Sequence, residues 1–492
     1  MYSYHIFYFP FKWMVKGREK KLFAEQTDLD NIVWNLGHCW KNNLNVKDPV
    51  ELQDLYSEKN YFYEFVHSVL YDTGEENSIL KHFERIEPQE REVSYIISKR
   101  NDKTYTLKVD AINLNLYETG VGMLSFFLKN ERHDQKDKDD ILKINQYGRR
   151  VFPPFYKDIE EKIETAEYIS IEGLTGSPDR YKEDFKSWIK DGKLDKKPWT
   201  PACFINNLIL DLSDSFEITP VIDDRMFVNC WYGNDDLVKE FKSCDKEGLD
   251  TFFKENDFWY KFIHVDMSKM TCQNDELRLN ILNKLTYKRW QKEGQLYGVS
   301  RSSFVFLSGE GDFHKNILAV YMRTMYSRIV ELILFQRASV LRFSDEVTHV
   351  GQLSKVKSVD KHLISRISSI YKEYIRFTNQ IYFTEVTAQD QGIELYNLIS
   401  ETLNIQKYID GLNKELNELY QFVSLVDDRI RNKNAEKLNI LAAIFFPAAL
   451  ITGLFGMNTW DELKINMFSQ SVIIIIISTV MFGLIQLINK RK

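Results

Sequence analysis

Apolar positions follow three rhythms along this chain. In the first three hundred residues they come in short aromatic and β-branched bursts, which suit strands. Tyr4–Phe9, Ser94–Ser98, Thr104–Leu107, Val121–Leu128, Phe204–Leu212, Phe258–Val265 and Ser303–Leu307 are such bursts. Tyr156–Glu167 reads as a helix between them, and Asp72–Asn77 and the charge-rich Asp134–Asp140 read as loops. From about Asn316 the rhythm turns helical, with amphipathic stretches at Leu318–Leu341 and Val359–Glu385. Next comes a stripe at Leu395, Leu398, Thr402, Ile405, Ile409, Leu412, Leu416, Leu419, Val423, Val426 and Ile430, spaced alternately by three and four. That spacing predicts a coiled-coil stalk. Gly411 weakens it by about 1 kcal/mol. No proline stands between Ala388 and Phe446, so one unbroken helix is expected from near Asp390 onward.

The third rhythm is continuous. Leu438–Met457 is 20 residues and Met467–Ile488 is 22 residues, both without a charge. A membrane-spanning helix needs about 20 apolar residues, so two spans are expected. Arg429, Arg431, Lys433 and Lys437 precede the first run, Lys490, Arg491 and Lys492 follow the second, and the link between them holds only Lys464. The positive-inside rule then places both ends in the cytoplasm, at the inner (plasma) membrane. Pro447 lies within the first run, which also offers small faces at Ala442, Ala443, Ala448, Ala449, Gly453 and Gly456. Small faces let helices pack closely. The bulkier second run, with its Ile473–Ile477 stretch, suits lipid, so an inner ring of first helices is expected.

Composition changes this picture little. The chain has 492 residues, 44% of them hydrophobic, with a net charge of −6. It is therefore a folding chain, and direct nucleic-acid binding is not expected. Cys39, Cys203, Cys230, Cys244 and Cys272 lie far apart with no CxxC, which predicts reduced thiols rather than a zinc site. The opening MYSYHIFYFPFKWMV has neither the apolar core nor the cleavage site of a signal peptide. The nine histidines are scattered, with no nucleophile, base and acid at telling spacings, so an enzyme is the weakest class and no cofactor is expected.

The first apolar run ends in Gly456-Met457-Asn458, after Pro447 and Gly453 and before a short loop, a second run and a basic tail. This combination resembles the CorA family of magnesium channels. The resemblance implies a homopentamer in the lipid bilayer, with an α+β cytoplasmic head, a long helical stalk and a pore lined by the first helix. It implies that Asn458 forms an outer ring meeting a hydrated cation, Mg2+ or another divalent ion. Magnesium sheds water reluctantly, which suits an amide ring. Gly453, Ala449, Phe446, Ala442, Leu438, Ala435 and Asn432 would line the pore below, with Phe446 and Leu438 as apolar constrictions. Asp461 and Glu462 would concentrate cations at the outer mouth. Two departures stand out: Ala449 aligns where the family often carries a hydroxyl, and Asn397 aligns with the family's regulatory acid, with Glu394 and Glu401 nearby.

The domains expected are a head over 1–317, a helical region and stalk over 318–437, a first span over 438–457, an outer loop over 458–466, and a second span with its basic tail over 467–492. The head exceeds the minimal family plan by about 100 residues between Lys157 and Lys315. In that layout the chain is similar to CorA-like membrane proteins associated with type III CRISPR defence. The similarity implies an antiviral channel gated by a nucleotide second messenger, such as an S-adenosylmethionine–AMP conjugate. An ordinary magnesium transporter is the alternative. No phosphate-binding glycine loop occurs. The candidate ligand residues are Arg149 and Arg150, before Phe152, and Arg323 and Arg328, which share a predicted helical stretch with Arg337 and Arg342.

Overall fold

A computed structural model describes residues 1–18, 21–30, 32–42, 58–74, 79–99, 102–151, 166–190, 193–194, 200–267, 270–356, 361–455 and scattered positions from 468 to 483. The chain divides into two units. One comprises Met1–Val356 and Ser368–Leu416, the other Lys357–Ile367 and Asn417–Lys492.

The first unit is built on a 13-stranded sheet. Its strands are β1 (Ser3–Val15), β2 (Trp40–Asn42), β3 (Leu80–Arg85), β4 (Ser94–Ser98), β5 (Tyr105–Tyr117), β6 (Val121–Asn130), β7 (Tyr168–Glu172) and β8 (Lys182–Asp184). A separate two-stranded ribbon, β9 (Ile189–Lys190) and β10 (Lys193–Leu194), follows. The sheet resumes with β11 (Phe216–Pro220), β12 (Phe227–Gly233), β13 (Thr286–Tyr287), β14 (Leu296–Val299) and β15 (Ser303–Ser308). The main path runs β13-β14-β15-β12-β1-β6-β5-β4-β7-β8. Among the described strands only β12 and β15 pair in parallel.

Two 13-residue strands form the spine. Strand β5 pairs with β4 along one half and β3 along the other. Strand β1 does the same, meeting β12 through Tyr8 and β11 from Phe11 onward. Pro10 falls in the gap between those partners, where its missing N–H leaves no ladder bond unmade. The sheet is covered on both faces, which explains why β1 is an almost continuous apolar run rather than an alternating one. Phe7, Phe9, Phe11 and Trp13 belong to the core beneath one face. On the other, the Tyr8 hydroxyl donates to the Ser327 carbonyl and Lys12 pairs with Asp345.

The first face carries α1 (Lys138–Gly148), α2 (Cys203–Leu212), α3 (Asp235–Lys242), α4 (Lys246–Glu255), α5 (Asp257–His264) and α6 (Asp275–Leu285). Helices α3 to α6 each start on an Asn or Asp whose side chain accepts a backbone N–H: Asn234, Asp245, Asn256 and Asn274. The second face carries α7 (Ser327–Val356), preceded by π-helical turns at His314–Leu318 and Met322–Tyr326. Then come α8 (Lys361–Gln380), α9 (Asp390–Thr402) and α10 (Ile405–Phe455).

The structure keeps the strands expected at Tyr4–Phe9, Ser94–Ser98, Thr104–Leu107, Val121–Leu128 and Ser303–Leu307, lengthening several. It corrects others. Phe204–Leu212 and Phe258–Val265 are helices, not strands. Buried Phe204, Ile205, Leu208, Ile209 and Leu212 recur at helical spacing, and the Asn256 cap opens the other helix. Asp134–Asp140 is not all loop, because α1 begins at Lys138. The helix expected at Tyr156–Glu167 lies mainly outside the described residues. The stalk is not one helix. Asn404 adopts a left-handed φ of 55° and separates α9 from α10. Asparagine tolerates that conformation better than most residues. All five cysteines are free thiols.

In the second unit, α10 runs through Pro447 to Phe455. Among the described residues no helix is both long enough and apolar enough to cross a membrane. The first expected span reaches the end of α10, with Gly456 and Met457 beyond the described residues. The second expected span is described only at isolated positions.

Candidate functional site

Where the gap at Pro10 leaves β1 uncovered, the segment joining β11 to β12 arches over it and leaves a cavity. This small, open cavity is lined by Pro10, Arg149, Ile222, Asp223, Arg225, Met226, Phe227, Arg301, Ser302 and Leu334. Arg149 and Arg150 follow directly on α1. Arg150 bridges Arg225 in antiparallel fashion, and the Arg149 carbonyl accepts from the Met226 N–H at 2.8 Å. Helix α7 supplies Leu334 to the wall, and Arg337 follows one turn on, beside Arg301 and Asp223.

The charges here do not balance. Arg150 pairs with Asp224 at 2.7 Å, and Arg225 lies 3.1 Å from Asp223 and 3.2 Å from Asp224. Among the described residues Arg149 has no carboxylate at ion-pair distance, and Asp223 and Asp224 act on it only from farther off. It is 2% exposed, and one of its nitrogens donates to the Val265 carbonyl at 3.1 Å. Its Nε and Nη1 have no hydrogen-bond partner among the described residues. Burial, then the neighbouring Arg225, pushes the Arg149 guanidinium down to about 9. Val265 is a β-branched residue held at a left-handed φ of 49°. Strained conformations of this kind concentrate at functional sites.

Arg337 repeats the pattern. Its Nε and Nη1 are buried without partners among the described residues, and burial, then Arg301, lowers its pKa. Among the described residues Arg301 reaches the Tyr408 hydroxyl, at 3.4 Å. Burial and then Asp223 push the Asp224 carboxyl above its ordinary range. Burial acts on Asp223 in the same sense, but its hydrogen bond with Asp224, then Arg225, carries it below.

Of the four arginines expected to hold a ligand, Arg149 lines the cavity, Arg150 stands beside it against Arg225 and Asp224, and the other two lie elsewhere. Arg323 pairs with Asp110 at 3.5 Å. Arg328 is bound to Glu58 at 2.9 Å and Glu331 at 3.4 Å, and Asn115 and His82 extend that network. Both have internal carboxylate partners, which makes them struts of the fold. Arg225 and Arg301 were missed. Each is a lone arginine in a turn, and the one sequence cue was Pro10 inside a strand.

Glu394, beside the position expected for a regulatory acid, is engaged by Arg289 at 2.7 Å and by the Tyr287 hydroxyl. These partners, Tyr287 first, hold its carboxyl below the usual range. Among the described residues no three His, Cys, Asp or Glu side chains are grouped to hold a metal. Cys230, His5 and Asn145 do meet: the sulfur lies 3.4 Å and the Asn145 carbonyl 2.7 Å from His5 Nδ1. The cluster is sealed in the core. Burial lowers the imidazole to about 4 and raises the thiol, the reverse of what a thiolate nucleophile requires.

In the expected pore segment, Asn432, Ala435, Leu438, Ala442, Phe446, Ala449 and Gly453 all lie on α10 and are exposed. Leu438 and Phe446 are 66% and 67% exposed. Gly456, Met457, Asn458, Asp461 and Glu462 fall outside the described residues.

Residues 306–491 match the family model described as CorA-like Mg2+ transporter protein. This part of the chain is similar to that family. The match runs from β15 through α7 to α10 and the C-terminal segment; residues 1–305 lie outside it. Among solved structures, the chain is similar at 12% identity to the CorA magnesium transporter of Methanocaldococcus jannaschii, over 57% of this chain and 96% of that one, with a TM-score of 0.21. It is similar at 16% identity to the full-length CmaX protein, over 39% of this chain and 67% of that one, with a TM-score of 0.18. No curated protein matches. The cavity is therefore walled on one side by the matched segment, through Leu334, and on the other by residues preceding it.

Proposed function

We propose that the protein is a CorA-type cation channel, a homopentamer in the plasma membrane with both termini in the cytoplasm, whose head receives an anionic ligand that gates it. The observation that carries the conduit is the exposed apolar face of α10 inside the matched segment. Leu438, Ile440, Leu441, Ile444, Phe445 and Phe446 are all more than 40% exposed, a concentration of apolar surface that calls for lipid or further copies. Mg2+ or another divalent cation is the cargo, with Leu438–Met457 lining the path and Met467–Ile488 facing lipid. Asn458 then meets the hydrated ion, and Asp461 and Glu462 attract it.

The ligand reading is favoured by the arginine cavity and by a head that precedes the matched segment by about three hundred residues. A nucleotide second messenger fits a site rich in guanidinium, since arginine pairs well with phosphate. An antiviral effector of the type III CRISPR kind is the form this takes. The alternative, an ordinary magnesium transporter, is favoured by the wording of the family match alone.

The test is cation flux into liposomes reconstituted with the full chain, with and without a panel of adenylate messengers. Flux that rises at least tenfold with one messenger supports the gated channel. Flux indifferent to all of them, together with growth rescue of a magnesium-transport-deficient cell, leaves the transporter. Absence of any flux, with or without messenger, would overturn the conduit itself.

A further inference from the structure

Three arginines, Arg149, Arg225 and Arg301, line the cavity, Arg150 and Arg337 stand beside it, and two carboxylates, Asp223 and Asp224, answer the five. The formal excess is three positive charges. Buried charged groups are ordinarily paired, because a lone one forfeits hydration without return. Here two arginines each carry two buried nitrogens without partners among the described residues. One is brought by the end of α1, the other by α7.

We infer that this cavity seats a compact oxyanion of at least two charges, a phosphate monoester or diphosphate group, gripped by Arg149 from the head and by Arg337 from α7. This deepens the ligand reading above and rests on it for its link to gating. The cavity is small and open, with no room to enclose a whole nucleotide. It takes the anionic group and leaves the remainder of a ligand outside.

Specificity for charge follows from the two aspartates. Asp223 and Asp224 are internal anions already engaged with Arg225 and Arg150, so a singly charged ligand gains only what they leave. A doubly charged group fits the arginines that have no carboxylate at ion-pair distance among the described residues. Because Arg337 belongs to the matched segment and Arg149 to the preceding region, one anion ties α7 to the head. Tyr408, near the start of α10, is held by Arg301 at the same cavity, which extends the tie to the helix leading toward the expected pore.

The experiment is calorimetric titration of the full-length, detergent-solubilised protein with pyrophosphate, adenosine 5′-monophosphate and cyclic adenosine monophosphate. Variants are Arg149→Met, Arg337→Met and, as a control already paired with Asp110, Arg323→Met. Pyrophosphate and the monophosphate are expected to bind, with the cyclic monoanion at least tenfold weaker. Arg149→Met and Arg337→Met should each weaken pyrophosphate at least tenfold, and Arg323→Met less than twofold. If Arg149→Met does not fold, half-buried Arg337 on α7 carries the test alone. Absence of pyrophosphate binding at millimolar concentration, or equal affinity in wild type and Arg337→Met, overturns the seat. A messenger that still opens the reconstituted channel would then show gating from elsewhere. Arginine-dependent pyrophosphate binding in a channel indifferent to messengers would keep the seat and sink the gating.

Discussion

Arg328 and Arg149 are both arginines with little exposure, and the structure assigns them opposite roles, which a stability measurement separates. Arg328 lies between Glu58 at 2.9 Å and Glu331 at 3.4 Å. Glu58 also accepts from the Tyr71 hydroxyl at 3.1 Å, and Glu331 accepts from Asn115, which bonds His82. Glu58 and Glu331 are only 8% and 6% exposed. Arg328→Met would keep the volume and strand two buried carboxylates. Removing one partner of a buried ion pair costs about 3–5 kcal/mol. At roughly 2 °C or more per kcal/mol for a domain of this size, the melting temperature should fall by about 6 °C or more. Arg149→Met removes a charge with no carboxylate at ion-pair distance among the described residues and should leave the melting point unchanged or raise it. The assay is scanning fluorimetry of both variants in the same detergent and salt. The triple variant Arg328→Met, Glu58→Gln, Glu331→Gln should recover most of the loss, since the penalty lies in the abandoned charges. An Arg328→Met protein melting within 2 °C of wild type would refute the strut.

Three further expectations follow from particular positions. Gly120 has φ +71°, and a Cβ there would meet the Arg342 guanidinium carbon at 2.5 Å and Thr27 at 2.6 Å. Gly120→Ala should therefore cost about 2–4 kcal/mol, combining left-handed strain with loss of the Arg342 bonds to the Trp13 and Gly120 carbonyls, read as a lowered melting point. At Asn404, with φ 55°, Gly should be neutral and Val should destabilise by about 1–2 kcal/mol in the same assay. His5 is fully buried, its pKa pushed by burial down to about 4. The unfolded chain takes up that proton first, so stability is full above about pH 6.5 and drains away as pH falls toward 4. The loss is about 3 kcal/mol. His5→Gln should flatten that acid limb; an unchanged limb would remove His5 as its cause.

How much of this was legible beforehand depends on the range of the interactions involved. Period, charge and run length are local properties, and they alone foretold strand β1, the helical layer after Asn316, the apolar terminal segments and the GMN tripeptide that points to the family matched over 306–491. Short apolar bursts were not decided locally. Phe204–Leu212 and Phe258–Val265 are rich enough in aromatic and branched residues to suit strands, yet their buried faces repeat every three to four residues and pack as helices against the sheet. The stripe from Leu395 to Ile430 kept its spacing through Asn404, so the break there left no mark on the pattern. The arginine cavity was the least legible feature. Its arginines stand at 149, 225 and 301, with Arg337 beside them, in stretches far apart in the chain. What joins them is the gap between β12 and β11 at Pro10, together with the passage of α7 across that face. Sequence supplies the charges, but whether a guanidinium has a carboxylate beside it is a fact of three-dimensional packing. That fact separates Arg149, with two bare nitrogens, from Arg328, held between two glutamates.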